Sequence, residues 1–197
     1  HINKWFTIVN PNAGNGKGQK DWSRINDLLK KNEIETTAKF TGKKGDAIEF
    51  TREAVSNGYR KFISVGGDGT LNEIVNGAFA QDNCSPGDLL LAMIPVGTGN
   101  DWGRMFSIPL VYEGAVRVIK EGRQMSHDIG IIDYYNGETR EKRYFINIAG
   151  LGFESLVVKK TNRQKDKGNN SKAIYFYNLL SSLLSWRHTN ADIVIDG

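Results

Sequence analysis

The chain has 197 residues and a mass of 22.0 kDa; 39% of its residues are hydrophobic and 24% charged, enough for one large or two small globular domains with a sizeable core. A single cysteine, Cys84, excludes an internal disulfide framework and fits a reducing, cytosolic setting, and no apolar run approaches the roughly 20 residues that span a bilayer. Net charge is +4, but residues 151–190 alone carry seven Lys or Arg against Glu154 and Asp166. A solvated basic face and a surface turned toward anionic lipid headgroups both account for that excess, and no nucleic-acid partner is expected.

Residues 4–10, KWFTIVN, read as a buried strand followed by the turn-rich PNAGNGKGQ. From Asp21 to Lys31, Trp22, Ile25, Leu28 and Leu29 recur at helical spacing. Residues 34–40 alternate Ile34, Thr36, Ala38 and Phe40 as a strand does, and TGKKGD leads into a helix through Ala47, Phe50, Ala54 and Val55. A third strand spans 59–65, and Leu71, Ile74, Val75 and Ala78 share one face of the helix after it. Residues 88–94, DLLLAMI, hardly alternate, which predicts a strand buried on both faces. A helix from Val111 to Glu121 closes this half. Four strand–helix alternations predict an α/β domain over residues 1–125, with a mostly parallel sheet covered on both sides.

After residue 125 the rhythm changes. Two strand-like runs meet around Asn136-Gly137, a hairpin signal. A basic stretch, a helix with Ala173, Tyr177, Leu180 and Leu184, and a last strand at 191–196 follow. This predicts the N-terminal part of an antiparallel β-rich domain over 126–197, in a chain whose ends, His1 and Gly197, look cut. The stripe Tyr175, Phe176, Tyr177, Leu179, Leu180, Leu183, Leu184 and Trp186 is broader than one helical face. It reads as core packing, or in part as a lipid channel or bilayer contact. His127 and His188 are too isolated to argue for a metal or a base.

Every strand-to-helix junction carries special chemistry: NPNAGNGKG, TGKKGD, GGDGT and PVGTGND. In a parallel sheet these junctions lie along one edge, at the carboxyl ends of the strands, where open α/β sheets bind ligands. Glycines let backbone N–H groups approach an anion, and the helix N-termini beyond them add partial positive charge, which suits phosphate. Thr41, Thr70 and Thr98 offer hydroxyls; Asp68, Glu73 and Asp101 offer carboxylates for Mg²⁺. Asp46 and Asp101 also fit as N-caps of the helices that follow. The four loops together predict a nucleoside triphosphate site. It is no standard P-loop, because Gly18 stands where Ser or Thr would bind Mg²⁺ and Pro11 where the first glycine belongs. Nor is there a dinucleotide G-x-G-x-x-G followed by an acid about twenty residues on.

NPNAG (10–14), GGDGTLNE (66–73) and PVGTGND (95–101), in that order, resemble the diacylglycerol kinase catalytic domain, and FINIAGLGFES (145–155) is similar to that family's second-domain segment. The superfamily includes bacterial lipid kinases, sphingosine kinases and ceramide kinases. The resemblance implies a phosphofructokinase-like α/β domain followed by a β-sandwich, with ATP in the cleft between them. The activity it implies is ATP- and Mg²⁺-dependent phosphorylation of a lipid hydroxyl such as that of diacylglycerol. It implies ATP contacts from Asn10, Pro11, Asn12, Ala13, Gly14, Thr41, Gly67, Asp68, Gly69, Thr70, Leu71, Asn72, Glu73, Thr98, Gly99 and Asn100. Asp68 would be catalytic, and Asp68 and Asp101 would hold the metal. Bacterial members place a carboxylate base in an Asp-Gly-Glu segment near the end of a longer chain; Asp196-Gly197 lacks the following Glu, so the base is expected beyond Gly197. The lipid substrate implies a cytoplasmic protein that contacts the membrane surface peripherally. A kinase of a soluble substrate, as in NAD kinases, and a non-catalytic nucleotide-binding protein are the alternatives.

Overall fold

The computed structural model describes residues 2–150, 153, 156–158, 160–161 and 172–186. The chain divides into two compact units, His1–Asn147 and Ile148–Gly197.

The first unit is built on four parallel strands, β1 (Ile2–Val9), β2 (Thr36–Phe40), β3 (Tyr59–Gly66) and β4 (Leu90–Pro95), in the order β2-β1-β3-β4. Between and after them run α1 (Ala13–Lys20), α2 (Trp22–Lys31), α3 (Asp46–Ser56), α4 (Asp68–Phe79), α5 (Asp101–Met105) and α6 (Tyr112–Glu121). On one face Val9, Ile63, Val65 and Ile94 pack with Ile25 and Leu29 of α2 and with Ala115 and Val116 of α6. On the other, Phe6, Ile8 and Phe62 meet Ala47, Ala54 and Val55 of α3 and Ile74 of α4. Both faces of the central strands β1 and β3 are therefore dry toward their carboxyl ends, which is why they read as apolar runs, whereas the outer strand β2 keeps no buried residue.

Four features differ from the sequence expectation. Ile34 is buried but precedes β2, and β4 begins at Leu90 because Pro86–Asp88 form a short 3-10 turn. The glycine-rich stretch after β1 is helical over Ala13–Lys20, yet Gly14, Asn15 and Gly16 take φ of 60°, 59° and 86° inside it. Three consecutive left-handed residues are tolerable there because two are glycine and the third is asparagine. The hairpin, β5 (Gly130–Asn136) with β6 (Thr139–Phe145), closes one residue later than its signal: Asn136 pairs with Thr139, and Gly137 takes the turn at φ 66°.

Two asparagines seat the hairpin on α4. Asn76 donates to the Tyr144 carbonyl at 2.9 Å and accepts the Tyr144 N–H at 3.1 Å, while Asn72, one turn earlier, accepts the Ile146 N–H at 3.2 Å. Their side-chain amides thus satisfy backbone groups that β5 does not reach. Phe79 stacks on Tyr144 at 4.2 Å, beside a cluster of Leu71, Val75, Met93, Trp102 and Ile146.

In the second unit, α7 (Lys172–Ser185) turns its polar side inward. Asn178 and Ser182 are buried, Asn178 donates to Thr161 Oγ1 at 3.2 Å, and Lys160 donates to Ser185 at 3.0 Å. Phe176, Tyr177, Leu180, Leu183 and Leu184 are exposed, Leu184 at 92%. For these five the core-packing reading does not hold: the buried positions among the described side chains of this helix are Asn178, which bonds Thr161, and Ser182. The strand expected at 191–196, His188 and most of the basic stretch lie outside the described residues. No helix among the described residues is long and apolar enough to cross a membrane.

Tyr112 ties α6 to the start of α2: its hydroxyl donates to Asp21 Oδ2 at 2.7 Å, and Arg24 lies over its ring while pairing with Glu113. Burial first, and then the hydrogen bond to Asp21, push the phenol up to about 12. The folded state holds this proton more tightly than the unfolded chain does, so the contribution is intact below pH 10 and is lost as pH rises from about 10 to about 12. Melting curves between pH 9 and 12 are expected to show a steeper loss of stability for the wild type than for Tyr112→Phe.

Candidate functional site

Parallel strands deliver all four junctions to one edge. β1 connects outward to β2 and β3 outward to β4, so the strand order reverses between β1 and β3, the position where sheets of this kind open a crevice. Hydrogen bonds join the loops there. Asn10, after β1, donates through Nδ2 to Thr70 Oγ1 at 3.2 Å, and its N–H reaches the Val65 carbonyl at 2.9 Å. The Gly66 carbonyl accepts from Val96 and Gly97 at 2.9 and 3.1 Å. Thr41 donates its N–H to the Val9 carbonyl at 2.9 Å, and Gly45 donates to Glu73 Oε1 at 3.0 Å, which brings in the loop after β2.

Two glycines are required by contact between loops. A Cβ on Gly14 would lie 2.1 Å from the Val96 carbonyl oxygen, and one on Gly97 would lie 2.6 Å from the Cα of Gly67. The first loop thus presses on the fourth, and the third loop on the fourth, backbone to backbone.

Asp68 joins the last two loops by its side chain. Its Oδ1 accepts the Trp102 N–H at 2.9 Å and its Oδ2 the Asp101 N–H at 3.1 Å, so the carboxylate supplies from α4 the partners that the first N–H groups of α5 need. Asp101 pairs with Arg104 one turn on. Gly99 sits between the two acids: a Cβ there would be 3.1 Å from Asp68 Oδ2 and 3.6 Å from Asp101 Oδ2. Asp46 is the first residue of α3 and not its cap; Gly45, at φ 92°, takes the cap position. The Asp46 carboxylate instead reaches back to the N–H groups of Gly42 and Lys43 at 2.7 and 2.9 Å, and these two bonds lower its proton affinity.

The sixteen residues assigned to ATP by resemblance divide by position. Asn12, Gly69, Thr98 and Gly99 are exposed along the edge, and Asn10, Pro11, Gly14, Thr41, Gly67 and Asp68 are half-buried beside them. Ala13, Thr70, Leu71 and Asn100 are buried, and Leu71 belongs to the apolar cluster under α4. Asn72 holds Ile146, the residue after β6, and Glu73 holds Gly45. Sequence reasoning missed Asn76 and the carbonyls of Gly66 and Val96; only the i, i+4 repeat of asparagine in LNEIVN hinted at the first. His127 bonds locally, to the Ile146 carbonyl at 2.8 Å. Among the described residues no group of three or more His, Cys, Asp or Glu could hold a metal ion.

Residues 4–132 match the model of the diacylglycerol kinase catalytic-domain family. Curated proteins named diacylglycerol kinase from Staphylococcus aureus are 39% identical over 145 residues, 74% of this chain. The chain spans 42% of the length of those relatives. A solved structure of a diacylglycerol kinase from Bacillus anthracis matches with a TM-score of 0.52 at 29% identity, covering 66% of this chain and 44% of that one. A second structure from the same organism matches with a TM-score of 0.59 at 28% identity, over 78% of this chain and 52% of that one.

Gly14→Ala would place a methyl group against the Val96 carbonyl at a left-handed position. The backbone term alone is about 1–2 kcal/mol, and a drop of at least about 4 °C in melting temperature is expected by differential scanning fluorimetry. Gly16→Ala meets nothing within 4 Å and is expected to cost less.

Proposed function

The chain belongs to the diacylglycerol kinase catalytic-domain family, and on that premise we propose that it forms the nucleotide-binding part of a kinase that transfers the γ-phosphoryl group of ATP to a lipid hydroxyl such as that of diacylglycerol. The observation that carries the reading is the meeting of four separate loops at the strand-order reversal, joined by the Asn10–Thr70, Gly45–Glu73 and Asp68–α5 bonds.

Phosphoryl transfer asks a protein for positioning and for stabilisation of charge on phosphate oxygens. Glycine-rich backbone at 14–16, 66–69 and 97–99 can come close to those oxygens, and the first turn of the 12-residue α4 points its positive end at them. The donor set fits Mg²⁺, which prefers oxygen ligands: Asp68 and Asp101 flank Gly99, and each Asp68 oxygen keeps a lone pair beyond the one given to α5. Bound by these two residues, Mg²⁺ would neutralise charge on the phosphates. Pinned by two N–H groups, Asp68 suits a fixed ligand better than a proton acceptor, and we assign the proton of the attacking hydroxyl to a different carboxylate.

The exposed apolar side of α7 and the basic residues of the 151–190 segment support contact with an anionic membrane surface, where such a substrate resides. At 14 residues the helix is about 21 Å long, short of the roughly 30 Å hydrocarbon core, so it would lie along the surface.

The test offers labelled ATP with diacylglycerol, sphingosine and NAD in parallel. Label in a lipid is expected, reduced at least about 100-fold by Asp68→Asn; label in NAD alone would reject the lipid reading. In a separate co-sedimentation assay, Leu184→Glu is expected to weaken binding to vesicles containing phosphatidylglycerol while leaving the melting temperature within about 2 °C, as surface substitutions do.

A further inference from the structure

We infer that Asn100 is a positioning residue, one that presets the turn at 97–99 for the phosphates of the nucleotide without touching them. The inference rests on the nucleotide reading given above. Asn100 is 4% exposed, whereas its neighbours Thr98 and Gly99 lie open at the edge, so the side chain works from beneath the loop. Its backbone is left-handed, φ 55° and ψ 42°, a conformation that glycine and asparagine adopt most readily. In that conformation Nδ2 donates to the Gly97 carbonyl at 2.6 Å, closing the turn across three residues. The Asn100 carbonyl at the same time accepts the Arg104 N–H at 2.9 Å and so opens α5.

The other amide atom marks the same seam. Asn100 Oδ1 is buried with no hydrogen-bond partner, and it faces the Gly67–Gly97 contact: a Cβ on Gly97 would lie 2.9 Å from it, and one on Gly67 3.7 Å. The side chain therefore fills the space behind the two glycines whose backbones touch. Two of the three residues it spans are glycines, which sample many conformations unless tied. Asp68 ties the segment at its far end, through the N–H groups of Asp101 and Trp102; Asn100 is the tie at the near end. A turn already in its bound shape loses less entropy when phosphate arrives, and tighter binding is the consequence.

Two variants isolate the role, because glycine and aspartate both accept a left-handed backbone. Asn100→Gly removes the side chain; Asn100→Asp keeps its size but loses the donor. Calorimetric titration with the magnesium complex of a non-hydrolysable ATP analogue, amide hydrogen exchange of residues 97–99 without nucleotide, and melting curves are measured on wild type and both variants. The expected result is a dissociation constant raised about tenfold or more in both variants, with faster exchange at 97–99 and melting temperatures within a few degrees of wild type. Wild-type affinity in a folded Asn100→Gly or Asn100→Asp protein would overturn the inference alone, as would a lowered melting temperature with unchanged affinity, the mark of a purely structural residue. Absence of binding by the wild type would overturn the nucleotide reading and this inference with it.

Discussion

The backbones of Gly67 and Gly97 meet so closely that a Cβ on Gly97 would lie 2.6 Å from the Cα of Gly67. That contact fixes how near the loop after β3 comes to the loop after β4. Across the same seam Asp68 holds the first N–H groups of α5, and the Gly66 carbonyl serves Val96 and Gly97 together. The short α5 has few apolar anchors beyond Trp102, so its start depends on this carboxylate. Much of the order along the edge follows from the absence of one Cβ.

α4 carries that order away from the edge. Its first turn meets the loops, its third and fourth residues hold Asn10 and pack in the core, and Asn72 and Asn76 fasten β6. One helix of 12 residues thus reaches from the strand-end loops to the hairpin. The apolar face of α4 explains its burial, but the two asparagines explain its alignment, because a side-chain amide pairs with a strand edge in only one register.

Most of the α/β unit was legible because its signals are local. Apolar runs mark the strands, and β3 is buried through Phe62, Ile63 and Val65. The run at 88–94, expected to be buried on both faces, is buried only from Met93 on and half-buried over Leu90–Ala92, because β4 closes one side of the sheet. The junction chemistry was legible because glycine, threonine and aspartate cluster at each strand end. What escaped is contact between residues distant in sequence. Asp68 reads as a metal or catalytic group, and nothing nearby in sequence shows that it bonds to residues 101 and 102. The helix at 13–20 was hidden because glycine obscures helical periodicity. The stripe at 175–186 reads by composition as core or in part as a lipid-facing surface, and nothing local shows that Asn178 and Ser182 take the inner positions.

The central claim is that loops from four strand ends act as one nucleotide site, and amide hydrogen exchange with and without magnesium-bound ATP analogue tests it most directly. The account predicts simultaneous slowing at residues 10–16, 41–45, 66–70 and 97–102, with the opposite edge of the sheet unchanged. Slowing confined to a single loop, or located at the N-terminal ends of the strands, would contradict it.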